Sequence, residues 1–376
     1  MANNISTLGQ SLGQIARLKT QHTTLADLQM QLSSNKKTQK LSGLGADIVR
    51  TVKARSGINS LQTYNDNITN ADRRLKLMST AVTEMTAQTK NIANSFSSAV
   101  QQGDFPDFES MKHLANNVYE FILDLVNQQD GDRYLFAGSA TDFKPITDAG
   151  LYSSFLGEFV PDSSDLTNPP LVASGAIGDW ASGLITTDQF IASYKNVNDT
   201  VLGFSDPLTS NTAGKMAVRV NDNAEFDYTT LANKTAMREV VMLLGVIKAL
   251  PPVEYAPGAL NDPTATTIAG DTSPNPPREK QDNFFQVIRD LAVSLNKAID
   301  SLEGETYRLS QVRSQISIVK ASHTDQIEAF KDVVAEKENA DITEISALIL
   351  QMQTQLEASY QVTSLVSQLT LANYLR

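Results

Sequence analysis

The chain of 376 residues contains no cysteine, which excludes disulfides, thiolate zinc sites and cysteine nucleophiles together. Aromatic residues are scarce, at 7% with a single tryptophan, Trp180, so the core must come mostly from aliphatic side chains. Basic residues are outnumbered, 31 against 42 acidic ones, for a formal charge of −11. That sign is wrong for a protein whose main partner is nucleic acid. No apolar run approaches the roughly 18 residues of a membrane span, so no membrane partner is expected. Met1 to Ile5 lacks both a basic and an apolar region, and a cleavable secretory signal is not expected either.

Proline is missing from the first 105 and the last 99 residues, and 11 of the 13 prolines fall in 161–277. A proline costs about 3 kcal/mol inside a helix. Both ends therefore read as long uninterrupted helix, and the middle as strands, turns and loops. Its densest loops are at Pro169-Pro170, Pro251-Pro252 and Pro274 to Pro277.

The ends carry an apolar repeat in alternating steps of three and four. One series is Leu61, Tyr64, Ile68, Ala71, Leu75, Met78, Val82, Met85, Thr89, Ile92, Phe96, Ala99. Its counterpart is Ile288, Leu291, Leu295, Ala298, Leu302, Glu305, Leu309, Val312, Ile316, Val319, His323. A period of about 3.5 held this long predicts a narrow seam and a left-handed supercoil. Met111, Leu114, Val118, Phe121 and Leu125 continue the rhythm in a third helix that folds back on the first. The expected fold class is mostly α: a long antiparallel coiled-coil rod built from both chain ends, with an inserted mixed α/β outer domain. The rod takes 58–141 and 279–334, the insert 142–278, and terminal amphipathic helices 1–57 and 335–376.

The terminal helices pose a separate problem. Ile5, Leu8, Leu12, Ile15, Leu25, Leu28 and Leu32 form stripes at the front. Ile345, Ile349, Met352, Leu356, Val362, Val366 and Leu369 do so at the back, with Leu348 and Leu365 beside them. Loops at Ser33–Asp47 and Asp332–Asp341 join them to the rod. A pair of such helices is marginal alone in water, so their stripes are predicted to form an assembly interface. Completion of one long intramolecular bundle is the alternative.

Just ahead of the insert, Asp130-Gly131-Asp132 signals a turn before the apolar run Arg133 to Gly138. Met216 to Asn221 alternates as a half-buried strand and turns at Asn223-Ala224 toward Glu225. One helix is expected, capped by Asn233 and running from Ala236 to Pro251. The span 151–280 holds 8 basic and 15 acidic residues, as suits a solvated outer face. An insert of this kind is expected to be removable without loss of the rod.

Catalytic chemistry finds no anchor. His22, His113 and His323 stand in separate helices without metal-ligand spacing, and Gly43-Leu44-Gly45 is not followed by the lysine of a phosphate loop. Asp130 and Asp132 lack the rest of a calcium-binding loop. Lys36, Lys37, Lys40, Arg50, Lys53 and Arg55 form the one basic cluster, read as a charged joint with acidic neighbours. No enzyme activity, cofactor or metal is expected.

Three segments carry a family resemblance. Gln29 to Lys37, Gln-Met-Gln-Leu-Ser-Ser-Asn-Lys-Lys, resembles the Gln-x-x-Leu-Ser-(Ser/Thr)-Gly-Lys-(Arg/Lys) of the bacterial flagellin family, with Asn35 at the glycine. Asp132 to Gly138, Asp-Arg-Tyr-Leu-Phe-Ala-Gly, resembles the Gly-Arg-Tyr-(Ile/Leu)-Phe-(Ala/Gly)-Gly of that family's hook–filament junction (hook-associated) branch. Leu356 to Tyr360 and Leu369 to Leu371 resemble its C-terminus. The family's Ser-x-x-Asp-Asp-Pro loop is replaced by Leu41 to Asp47. The resemblance implies a structural subunit of the extracellular flagellum, exported by the flagellar type III route. It also implies self-association or ring assembly with flagellin and other hook-associated proteins, and an export chaperone at the C-terminal helix. The Tyr134-Leu135-Phe136 run favours the junction protein over filament flagellin. A coiled-coil adaptor or adhesin, and an enzyme carried on the insert, are the readings from other classes.

Overall fold

In the computed structural model, which describes residues 2–102, 108–157, 160–161, 171–172, 175–181, 183–251 and 278–374, the proline-free ends are helical. Helix α1 spans Ala2–Ser34, a 3-10 turn covers Leu41–Asp47, and α2 runs over Ile48–Gln102. After α3 (Phe108–Val126) come the strands β1 (Gln129–Asp130) and β2 (Arg133–Tyr134). The middle continues with α4 (Gly150–Leu156), β3 (Val160–Pro161), β4 (Leu171–Val172), α5 (Ala176–Ala181), α6 (Thr187–Lys195) and α7 (Asp206–Thr209). It closes with β5 (Ala217–Arg219), β6 (Glu225–Asp227) and α8 (Thr235–Ala249), before α9 (Arg278–Glu338) and α10 (Ile342–Tyr374). The molecule is mostly helical. Its strands form antiparallel pairs, β1 with β2, β3 with β4 and β5 with β6.

The chain divides into two units, Met1–Thr63 with Ala321–Arg376, and Tyr64–Lys320. In the second unit most apolar positions of the repeat are buried. Every apolar member from Ile68 to Phe96 is buried, as are Ile288, Leu291, Leu295, Ala298, Leu302, Leu309 and Ile316. The polar members are satisfied locally. Thr89 donates its hydroxyl to the Met85 carbonyl at 2.7 Å, and Glu305 accepts from Thr230 at 2.6 Å and from Arg308 at 2.6 Å. Arg313 Nε donates to Asp72 Oδ1 across the two long helices at 2.6 Å.

The seam does not close on itself alone. One core runs from α2, α3 and α9 into α4–α8, so the middle of the chain completes the interior around the long helices. Helix α8 is covered on nearly every side and packs chiefly on α3. Its Gly245 permits the close approach of α4, because a Cβ there would sit 2.5 Å from the Tyr152 ring. The scarce aromatics are concentrated. Trp180 stacks on Phe190, whose ring meets Tyr194 edge-on, and Tyr194 donates to Asp290 of α9 at 2.7 Å.

Four expectations are corrected. The third helix buries Met111, Ala115, Val118, Tyr119, Ile122 and Val126, leaving Leu114 and Phe121 exposed, because the helix presents a broad face of period 3.6 to α8. Among its described residues the middle holds five helices rather than one. The extra ones are too short for periodicity to reveal, and α6 is announced only by its Thr186–Gln189 capping box. Asn233 does not cap α8, since Lys234 takes that place. The Asn233 amide instead donates to Asp199 and to the Leu208 carbonyl, both at 3.0 Å. The back loop shrinks to Asn339–Asp341, because Asp332 to Glu338 contains neither glycine nor proline and continues α9.

Candidate assembly surface

The first unit is built around α1 and α10, which pack on each other. Asn35, at φ 54°, ends α1 in the left-handed conformation that asparagine tolerates better than most residues. Its carbonyl accepts from the Ala340 N–H at 3.1 Å, and Lys36 bridges to Asn339. Asp341 then starts α10 by accepting from the N–H groups of Thr343 at 2.8 Å and Glu344 at 3.2 Å. Those bonds to the ionised form hold its carboxyl below the usual range. At the far end His22 Nε2 meets the Tyr360 hydroxyl at 2.5 Å. The order of these contacts makes the helices antiparallel.

Their shared core is small. Leu28, Ile345 and Ile349 are buried, with Leu25, Leu32 and Ala340 packed against them. Leu356 is also buried, and Met352 is half-buried. Leu12, Ile15 and Val362 each remain more than half exposed. The side chains of Ile5, Leu8, Val366 and Leu369 lie outside the described ones. Met30, Leu350 and Leu365, also more than half exposed, join the uncovered set. Met30 and Leu350 fall off the stripes, and only their solvent exposure identifies them. Covering each such residue would recover about half of the 1.5–3 kcal/mol for full burial, roughly 1 kcal/mol apiece.

A charged joint borders this pair. Arg55 Nη2 lies 2.5 Å from Glu338 Oε2, with Lys36 Nζ at 3.8 Å from the same oxygen. The Lys37 N–H donates to the Glu338 carbonyl at 2.7 Å, and Lys337 lies 3.9 Å from Asp47. The basic cluster is thus partly neutralised by one acid brought from α9, Glu338. Lys40, Arg50 and Lys53 stay exposed. Gly45, at φ 55°, kinks the 3-10 turn, so Gly43-Leu44-Gly45 shapes a joint and not a phosphate cradle.

The other sequence candidates do not converge. His113 is exposed on α3, and His323 is buried on α9, where desolvation lowers its pKa below the ordinary 6.5. Asp130 and Asp132 flank Gly131, at φ 68°, in the β1–β2 turn, and Asp130 pairs with Arg73 at 3.1 Å. Among the described residues no group of three or more His, Cys, Asp or Glu side chains could hold a metal ion. No described helix is long and apolar enough to cross a membrane.

No protein-family model and no curated protein matches the chain. Among solved structures it is similar to one from Vibrio parahaemolyticus, provisionally described as a flagellar hook-associated protein. The two share 12% identity with a TM-score of 0.47, over 79% of this chain and all of the other.

Proposed function

We propose that the chain is a non-enzymatic structural subunit of the bacterial flagellar axial tube, in the hook–filament junction branch, polymerising through its terminal helices. The observation that carries this reading is the apolar surface left open on α1 and α10. An isolated helix pair gains nothing from keeping Leu12, Ile15, Met30, Leu350, Val362 and Leu365 in water. A subunit that buries them against its neighbours does. The resemblance segments fall at places consistent with this role. Gln29–Lys37 ends α1 at the left-handed Asn35, and Asp132–Gly138 forms the β1–β2 turn and delivers Leu135, Phe136 and Ala137 to the interior. That second segment favours a junction protein over a filament flagellin. In this reading the protein is extracellular, its partners are axial proteins of the same tube, and the C-terminal helix is what an export chaperone would shield.

Removal of 1–33 or of 342–376 tests it. Each product should retain a cooperative melt for the second unit, sediment as a monomer, and form neither rings nor filaments by electron microscopy. Assembly by either truncated form would refute the reading. Copy number in sheared flagella separates the branches, since a junction requires about one ring of subunits and a filament very many.

A further inference from the structure

A groove in the second unit uses residues that the assembly reading leaves idle. Its floor is the face of α2 that carries Asn67, Asn70 and Arg74, and its walls are the β1–β2 and β5–β6 hairpins. Four arginines line it, Arg73, Arg74, Arg133 and Arg219, against two carboxylates, Asp130 and Asp132. This surplus stands out because the unit around it has 20 basic and 32 acidic residues.

The arginines are under-compensated. Arg73 and Arg74 share one carboxylate, Asp130, at 3.1 and 4.0 Å. Arg74 is buried and tethered by one bond to the Tyr134 carbonyl at 3.1 Å, while its Nε has no partner. Arg219 donates to the Asn221 and Asp222 carbonyls at 3.2 and 2.9 Å, but its nearest carboxylate, that of Asp222 at 4.0 Å, is already engaged by the Tyr64 hydroxyl at 2.6 Å. Arg133 is exposed and has no carboxylate partner among the described residues. Burial raises the Tyr228 phenol, and the charges of Arg74 and Arg133 oppose that rise, which places both guanidiniums near its ring.

The groove also offers main-chain bonding. In the β5–β6 hairpin the Tyr228 N–H donates to the Met216 carbonyl, and the Val220 N–H to that of Ala224, each at 3.0 Å. With Val218 opposite Phe226, the even-numbered residues of this stretch bond to β6. The N–H and C=O groups of Ala217 and Arg219 therefore point the other way, along the edge that lines the groove. That edge has no strand beside it among the described residues. A free edge next to a set of cations selects for extended backbone and negative side chains together.

We propose that this groove binds an extended acidic segment of a partner protein, which adds as a strand to the free edge of β5 and sets its carboxylates against Arg133, Arg73 and Arg219. Guanidinium groups suit this task because their fork of donors matches a carboxylate. A bare phosphate would use the charges and leave the strand edge idle. The groove lies wholly within the second unit, so its binding can be measured whether or not the chain assembles.

Calorimetric titration of the full chain with a short peptide alternating glutamate and threonine tests this. The peptide is expected to bind, its lysine counterpart not to, and binding to weaken as salt screens the charges. Methylating alternate main-chain nitrogens of the peptide, on the edge facing β5, should abolish binding, because it blocks strand pairing and keeps the charge. Arg133→Gln should weaken binding about tenfold, the scale of one charged hydrogen bond. Lys76→Gln, on the exposed side of α2, should leave it unchanged, and circular dichroism would verify that both variants fold. Three results would each overturn the proposal: undiminished binding of the methylated peptide, full competition by equimolar inorganic phosphate, or an Arg133→Gln protein that binds as the parent does.

Discussion

Replacing residues 145–275 by a short Gly/Ser linker is the sharpest test of the second unit. A self-contained outer domain could be removed at little expense, since closure entropy grows slowly with loop length. The shared core argues otherwise. The excision removes α4–α8 and uncovers the face of α3 that meets α8. Val118, Tyr119, Ile122 and Val126 are each at most 5% exposed in the intact chain. At about 1.5–3 kcal/mol for each large apolar side chain, these four alone lose roughly 6–12 kcal/mol. Marginal stability for a domain is about 5–15 kcal/mol in total, so the loss is comparable to the whole. Further losses come from Phe284 and Val287 of α9, which belong to the same core. The expected product has helical far-ultraviolet dichroism, no cooperative thermal transition for the second unit, and dye-accessible apolar surface. A linker variant melting as sharply as the parent, within a few degrees, would refute the single-core argument and restore the insert as a separable domain.

Leu75→Ala and Leu302→Ala should each cost about 2–5 kcal/mol, lowering Tm by roughly 5–15 °C, while exposed Lys76→Ala changes it little; scanning calorimetry on the three variants checks the seam register. Tyr119→Phe should be neutral or slightly stabilising in chemical denaturation, because its buried hydroxyl has no partner and the change removes that penalty. Burial also pushes the Tyr119 phenol up to about 12, so ultraviolet titration should find one tyrosine fewer above the ordinary range after the substitution, with the ordinary set unchanged. His323 has a lowered pKa in the folded chain, so the unfolded chain takes up the proton first as pH falls. Stability of the first unit should therefore be greatest above pH 6.5 and decline as pH falls through the folded-state value. His323→Gln should flatten that slope in pH-dependent melts.

The long seams were legible because proline was absent and the apolar period persisted over many turns. A mistaken register would have had to fail at every step from Ile68 to Phe96. Helix α3 is short, and there the three-four rhythm misleads, pointing Leu114 and Phe121 inward although both are exposed. The structure buries Ala115, Tyr119 and Ile122 instead, on a helix that packs against α8. The C-terminal end of α1 showed part of its role, since Asn35 stands where the resembled family has glycine and tolerates positive φ. The pairing of Arg55 with Glu338 joins positions 283 apart and has no local signal. The arginine groove was not legible at all. Its parts lie on α2 and on two hairpins from distant stretches, each unremarkable by itself.

The Asp72–Arg313 pair joins helices across 241 positions. A chain made from its N-terminus cannot form that contact until residue 313 has emerged. At about 5–20 residues per second of synthesis, α2 waits roughly 10–50 s with Leu75, Met78 and Val82 unpaired by α9. Local helix forms far sooner, within microseconds. Through that interval the nascent chain displays an amphipathic rod with one sticky side. Closing a loop of that length carries an entropic cost that helix formation does not, so the closing step is slow relative to it. Shielding of the unfinished stripe, and not helix formation, is then the vulnerable stage in making this protein.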